Sequence, residues 1–170
     1  SNQQPSNLGI PILLLAGVVH AMPAGLFCHA PHDSVYSVAT AKLPDGRTIA
    51  VTLGNESAVV FTEDDGLSWQ MISGLGLELQ VPWEVTYNSN LAAAGGAGLF
   101  VIGTEAGVWT WDPMADVGST LNAGLGANDL HILDLDSPMP GYVGPTLALS
   151  TLGNVYVLSP TTMTWQNVLA

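Results

Sequence analysis

A chain of 170 residues that is 48% apolar and 9% charged has enough length and apolar surface for one domain with a substantial core. Only Lys42 and Arg47 are basic, against 14 carboxylates, so the formal net charge is −12. That balance excludes nucleic-acid binding by phosphate neutralisation and excludes polybasic membrane-surface binding.

The chain opens at Ser1 without an initiator Met, as a trimmed chain would. Its longest apolar stretch, residues 8–28, is interrupted by Pro11, Pro23, His20 and the glycines Gly9, Gly17 and Gly25. No basic segment precedes it, so it reads as buried strands rather than a signal peptide or a membrane span. Beyond it, 19 glycines and 11 prolines punctuate short Val, Leu, Ile, Thr and aromatic runs. Strands are predicted at residues 12–19, 25–29, 35–41, 48–53, 58–62 and 68–72, then 83–87, 99–103 and 107–111, and finally 130–135, 146–150, 155–158 and 164–168. Helix signals are weak throughout. The class is all-β.

An internal repeat narrows the architecture. Thr48–Gly54 with Ala58–Thr62, Leu99–Gly103 with Gly107–Thr110, and Thr146–Ser150 with Val155–Ser159 are each a strand, a tight turn and a second strand ending on a hydroxyl residue. Those hydroxyl residues, Thr62, Thr110 and Ser159, lie 48 and 49 residues apart. A further strand precedes each pair, and in the first and last units a fourth opens near Trp69 or Trp165. Four strands at this period predict the antiparallel blades of a β-propeller, which share cores by stacking. The expected division is a reduced N-terminal blade at 8–32, then full blades at 33–77, 78–126 and 127–170. Three blades and a fraction do not close a ring at full blade width, so self-association or a protein partner is expected to complete it.

The turn Thr62-Glu-Asp64-Asp-Gly66-Leu-Ser68-Trp69 follows the pattern Ser/Thr-x-Asp-x-Gly-x-Ser/Thr-Trp. It resembles the Asp-box of the BNR, or sialidase-type, repeat found in sialidases, sortilin-like receptors, some glycoside hydrolases and photosystem-assembly propellers. The second unit keeps Thr110 and Asp112 but has Met114 at the Gly position. The third keeps Ser159 and Trp165, with Thr161 at the Asp position. The resemblance implies a propeller fold. Asp64 is expected to accept backbone N–H bonds, Gly66 to supply a positive φ, and Trp69 to cover the blade edge.

Sialidase chemistry needs an arginine triad for the substrate carboxylate, and this chain has one arginine, so that activity is excluded. Asp134 and Asp136, two apart on a strand, point to one face and are candidates for paired-carboxylate catalysis or Ca²⁺ binding, with Glu84 as a third acid. His131, at an odd offset, falls on the other face if the strand is regular. Cys28, His29 and His32 put three ligand types within five residues, although no distant ligand completes a metal set. No cofactor is therefore expected, Ca²⁺ aside. Tyr36, Trp83, Glu84 and His131 fall on the innermost strands and would suit a sugar or peptide by stacking and hydrogen bonds. The expected function is a non-catalytic propeller module for glycan or protein binding, or for assembly, in an extracellular, periplasmic or cell-surface setting. The alternatives are a glycoside hydrolase-like enzyme and a structural subunit of a surface layer or filament.

Overall fold

A computed structural model describes residues 26–27, 34–54, 59–72, 81–91 and 96–169. Within them the chain is all-β, with no helix, and builds three antiparallel sheets. The first contains β1 (Leu26–Phe27), β2 (Val35–Lys42), β3 (Thr48–Gly54), β4 (Val59–Thr62) and β5 (Trp69–Met71) in the order β1-β5-β4-β3-β2. The second is the meander β6 (Pro82–Asn88), β7 (Leu99–Thr104), β8 (Gly107–Asp112) and β9 (Val117–Thr120). The third is the meander β10 (Ile132–Asp136), β11 (Leu147–Ser150), β12 (Val155–Ser159) and β13 (Thr164–Asn167). Of the expected N-terminal strands, residues 12–19 lie outside the described part, while Leu26 and Phe27 pair with Gln70 and Trp69 on the outer edge of the first sheet.

Strand alternation explains how the sheets stack. In β7, Phe100 and Ile102 point one way, and Leu99 and Val101 the other; all four are buried. Phe100 and Ile102 join Val51, Leu53, Phe61, Tyr87 and Trp111 in a core between the first and second sheets. Leu99 and Val101 join Ile132, Leu135, Tyr156, Leu158 and Trp165 in a core between the second and third. The middle sheet is therefore apolar on both faces at its centre, and β7 reads as a continuous hydrophobic run rather than an alternating one. At Gly103 the approach is so close that a Cβ would lie 2.9 Å from the Ile132 side chain.

The first strands of the three sheets lie side by side, β2 against β6 and β6 against β10. Each carries an extra residue at the same place. Tyr36 interrupts the register between Val35↔Gly54 and Ser37↔Leu53. Trp83 does so between Pro82↔Thr104 and Glu84↔Gly103, and Leu133 between Ile132↔Ser150 and Asp134↔Leu149. A bulge re-aims a side chain and increases local twist. Ser37, Glu84 and Asp134, each just past its bulge, are thus equivalent positions in the repeat.

Two details go beyond the sequence pattern. The second unit does have a fourth strand, β9, although it lacks the tryptophan that marks its counterparts; its Val-Gly-Ser-Thr sequence is largely exposed and carries little apolar pattern. The second turn has its positive φ at Asp116 (51°), the last of the four residues, 113–116, that make it. In the third turn it falls on Met163 (53°).

Candidate functional site

The three bulged strands bring together the residues that sequence position had singled out. Tyr36 stacks on Trp83 with ring centroids 5.9 Å apart and planes 24° apart. Trp83 stacks in turn on His131, at 5.6 Å and 27°. One aromatic ladder therefore runs from β2 through β6 to the residue that precedes β10. The parity that set His131 opposite Asp134 fails, because the extra residue Leu133 breaks the alternation: Ile132 and Leu135, three apart, both enter the same core. Tyr36 is exposed and Trp83 half-buried, while Trp83 Nε1 and His131 Nε2 are buried without a hydrogen-bond partner among the described residues.

Beside the ladder runs a polar row. Ser37 Oγ donates to Glu84 Oε1 at 2.5 Å and accepts from the Val85 amide at 3.2 Å. Burial pushes the Glu84 carboxyl above its ordinary range; the Ser37 hydrogen bond opposes that rise and repulsion from the Asp134 carboxylate adds to it. Asp134 and Asp136 are both exposed on β10 with Leu135 buried between them, so they share a face as their spacing predicts. The arrangement offers flat apolar rings next to one half-buried acid and two exposed acids. Such a surface can stack a planar or sugar-like ligand and hold it by hydrogen bonds.

The turn that spans Thr62 to Trp69 is self-contained. Thr62 Oγ1 donates to Asp64 Oδ1 at 2.8 Å and accepts from the Gly66 amide at 3.0 Å. Asp64 also accepts from the Ser68 amide (2.8 Å) and the Ser68 hydroxyl (2.5 Å). The Ser68 hydroxyl, the Ser68 amide and Thr62 hold the Asp64 carboxyl below its usual range. Gly66, at φ 87°, takes the left-handed conformation, and Trp69 is buried beneath the turn. In the degenerate second box, Asp112 Oδ1 accepts from the Met114 and Ala115 amides, and Trp111 Nε1 donates to Asp116. In the third, the Thr162 amide donates to Ser159 Oγ, so Ser159 plays the part that Thr62 Oγ1 plays in the first turn.

Two groupings were not foreseen. Asp129 is buried, and its Oδ2 accepts from Tyr156 Oη and Asn154 Nδ2, both at 2.7 Å. Burial raises its proton affinity, but hydrogen bonds from Ser150, Tyr156 and Asn154 outweigh that and hold the carboxyl below its usual range. The partners lie more than twenty residues downstream, and no local motif links them. The second grouping is a cleft of about 260 Å³ bordered by Arg47, Glu63, Gln70, Trp111 and Met114. Arg47 is committed there to Asp45 (2.7 Å) and Glu63 (2.5 Å). Cys28, His29 and His32 lie outside the described residues. Among the described residues no group of three or more His, Cys, Asp or Glu is placed to hold a metal ion, and no helix is long and apolar enough to cross a membrane.

No protein-family model matches this chain, and no curated protein matches its sequence.

Proposed function

We propose that the chain is a propeller segment of the Asp-box type that acts as a non-catalytic binding module in an extracytoplasmic setting. Its binding surface is the ladder Tyr36–Trp83–His131 with the row Ser37–Glu84–Asp134. The observation that carries this reading is the ladder itself: the bulge residues Tyr36 and Trp83, from two sheets, stack with His131, which immediately precedes the third. Side-by-side first strands and sheets that share cores support the propeller reading, since blades are related in this way. Rings beside carboxylates suit neutral sugars, through stacking and hydrogen bonds to hydroxyls, and equally suit peptide side chains.

Glycan and peptide arrays followed by titration of tryptophan fluorescence test the reading. Binding that is lost in Trp83→Ala and weakened in Tyr36→Ala, in variants that stay folded, is the expected result. Binding unchanged by both substitutions overturns it.

A second reading draws on one observation, the raised proton affinity of Glu84 next to Asp134. A carboxyl group whose burial raises its proton affinity, with a second, exposed acid nearby, is the kind of pair used in glycoside hydrolysis. Turnover of a glycan that Glu84→Gln abolishes would favour this enzyme reading. Binding without turnover favours the module.

A further inference from the structure

The residue that ends the aromatic ladder is followed along its strand by two acids. His131 stacks on Trp83 just before β10 begins, and Asp134 and Asp136 lie within β10. Beyond the bulge at Leu133, Leu135 enters the core while Asp134 and Asp136 are exposed on the other face. Among the described residues neither carboxylate accepts a hydrogen bond or forms an ion pair. The equivalent position in the first sheet behaves differently, since Ser37 reaches the neighbouring sheet and donates to Glu84. The chain does not neutralise the two acids itself. Lys42 and Arg47 are its basic residues. Lys42 lies at the far end of β2 from Tyr36, about 20 Å along the strand. Arg47 is tied to Asp45 and Glu63. With a formal net charge of −12, the field around the molecule repels acidic ligands and draws cationic ones.

Spacing narrows the kind of cation. Side chains two apart on a strand share a face at a step of about 7 Å. An extended peptide with basic residues at alternate positions presents its charges at that same step, and its methylene stems lie readily along aromatic rings. Arginine adds a planar fork that meets a carboxylate through two N–H bonds and stacks on such rings. We infer that the ladder site takes an extended basic segment of a protein partner, with arginines at alternate positions meeting Asp134 and Asp136 and the adjoining residues passing over the ladder. This rests on the ladder as the binding surface and adds the charge and form of what it binds.

Calorimetric titration with three versions of a Ser/Thr-rich nonapeptide containing one tyrosine tests it, at about pH 8, where an ordinary histidine is neutral. Two alternate positions carry arginine, its uncharged counterpart citrulline, or glutamate. The citrulline version should bind about fivefold more weakly than the arginine version, the scale of two exposed ion pairs. The glutamate version should bind more weakly still, and added salt should erase the differences. Asp134→Asn with Asp136→Asn should bring the arginine version down to the citrulline level. Asp65→Asn with Asp116→Asn removes the same charge from two exposed turn positions whose left-handed conformation asparagine tolerates, and should leave the preference in place. If the first pair does not fold, the three peptides and the salt titration on the wild-type chain decide. Equal binding of the three versions, tighter binding of the glutamate version, or a preference untouched by the Asp134 and Asp136 substitutions overturns the inference; if that binding is still lost in Trp83→Ala, the ladder reading stands. A glycan, amino sugars included, that binds through Trp83 when none of the peptides does has the same consequence. Absence of any ligand whose binding needs Trp83 overturns both.

Discussion

The Trp83 indole lies over the His131 imidazole, 5.6 Å between centroids, although Trp83 is on β6 and His131 just precedes β10, and neither is fully buried. Trp111 is the contrasting case. It is almost wholly buried and packs against Phe61 and Phe100, with centroids 4.8 and 5.7 Å away. Trp111→Ala should therefore cost about 3–5 kcal/mol, the range for an emptied aromatic site in a core. Trp83→Ala should cost clearly less while removing ligand binding. Urea denaturation of the two variants checks the ranking, and a Trp83 variant as unstable as the Trp111 variant would make the ladder a core element.

The close approach at Gly103 makes a second prediction. Gly103→Val pushes two methyl groups towards Ile132 and Leu135 where one carbon already has no room, and neither residue belongs to a flexible surface chain. Overpacking of this kind costs about 1–3 kcal/mol. Ile132→Ala in the same molecule should recover part of the loss, because it vacates the space the valine needs. A double-mutant cycle measures that recovery, and strict additivity would rule out the contact.

Tyr156→Phe removes one of the hydrogen bonds to a buried carboxylate and should destabilise by about 1–3 kcal/mol. Asp129 has a folded proton affinity below its unfolded one, so its contribution to stability is present above the unfolded carboxylate range. That contribution disappears as pH falls through the folded value. The gap between wild type and Asp129→Asn should accordingly be widest at neutral pH and narrow in acid, as read from melting temperatures across the range.

Much of the site was legible because position in a repeat does not depend on tertiary detail. Once Thr62, Thr110 and Ser159 set the period, Tyr36, Trp83 and His131 fell near the starts of innermost strands, where their rings meet. The face of His131 was not legible, since nothing local marks Leu133 as a bulge; only pairing with β11 reveals it. Asp129 escaped for a related reason. It sits among small residues, and its significance comes from Asn154 and Tyr156, which the sheet returns to it. Strand β9 escaped because an exposed outer strand needs no apolar alternation. The turn from Thr62 to Ser68 was readable in full, since every hydrogen bond that defines it lies within seven residues.

Asp64 and Glu84 should move stability with pH in opposite directions. Asp64 is held below its ordinary range, so its bonds to Ser68 and Thr62 support the fold above the unfolded carboxylate range and are lost as pH falls. Asp64→Ala should lower the melting temperature at neutral pH and matter less in acid. Glu84 is raised, so between its unfolded and folded values the native state holds the extra proton. Stability therefore falls as pH rises through that window, and the ionised group is a liability above it. Glu84→Gln keeps an acceptor for the Ser37 hydroxyl while removing both the buried charge and its repulsion from Asp134. The variant should melt higher than wild type at neutral pH and converge with it below about pH 4, where an ordinary glutamate is protonated. If its advantage were instead constant with pH, packing rather than charge would be responsible. A Glu84→Gln protein less stable than wild type at neutral pH would mean that the carboxylate is held by bonds stronger than the one from Ser37.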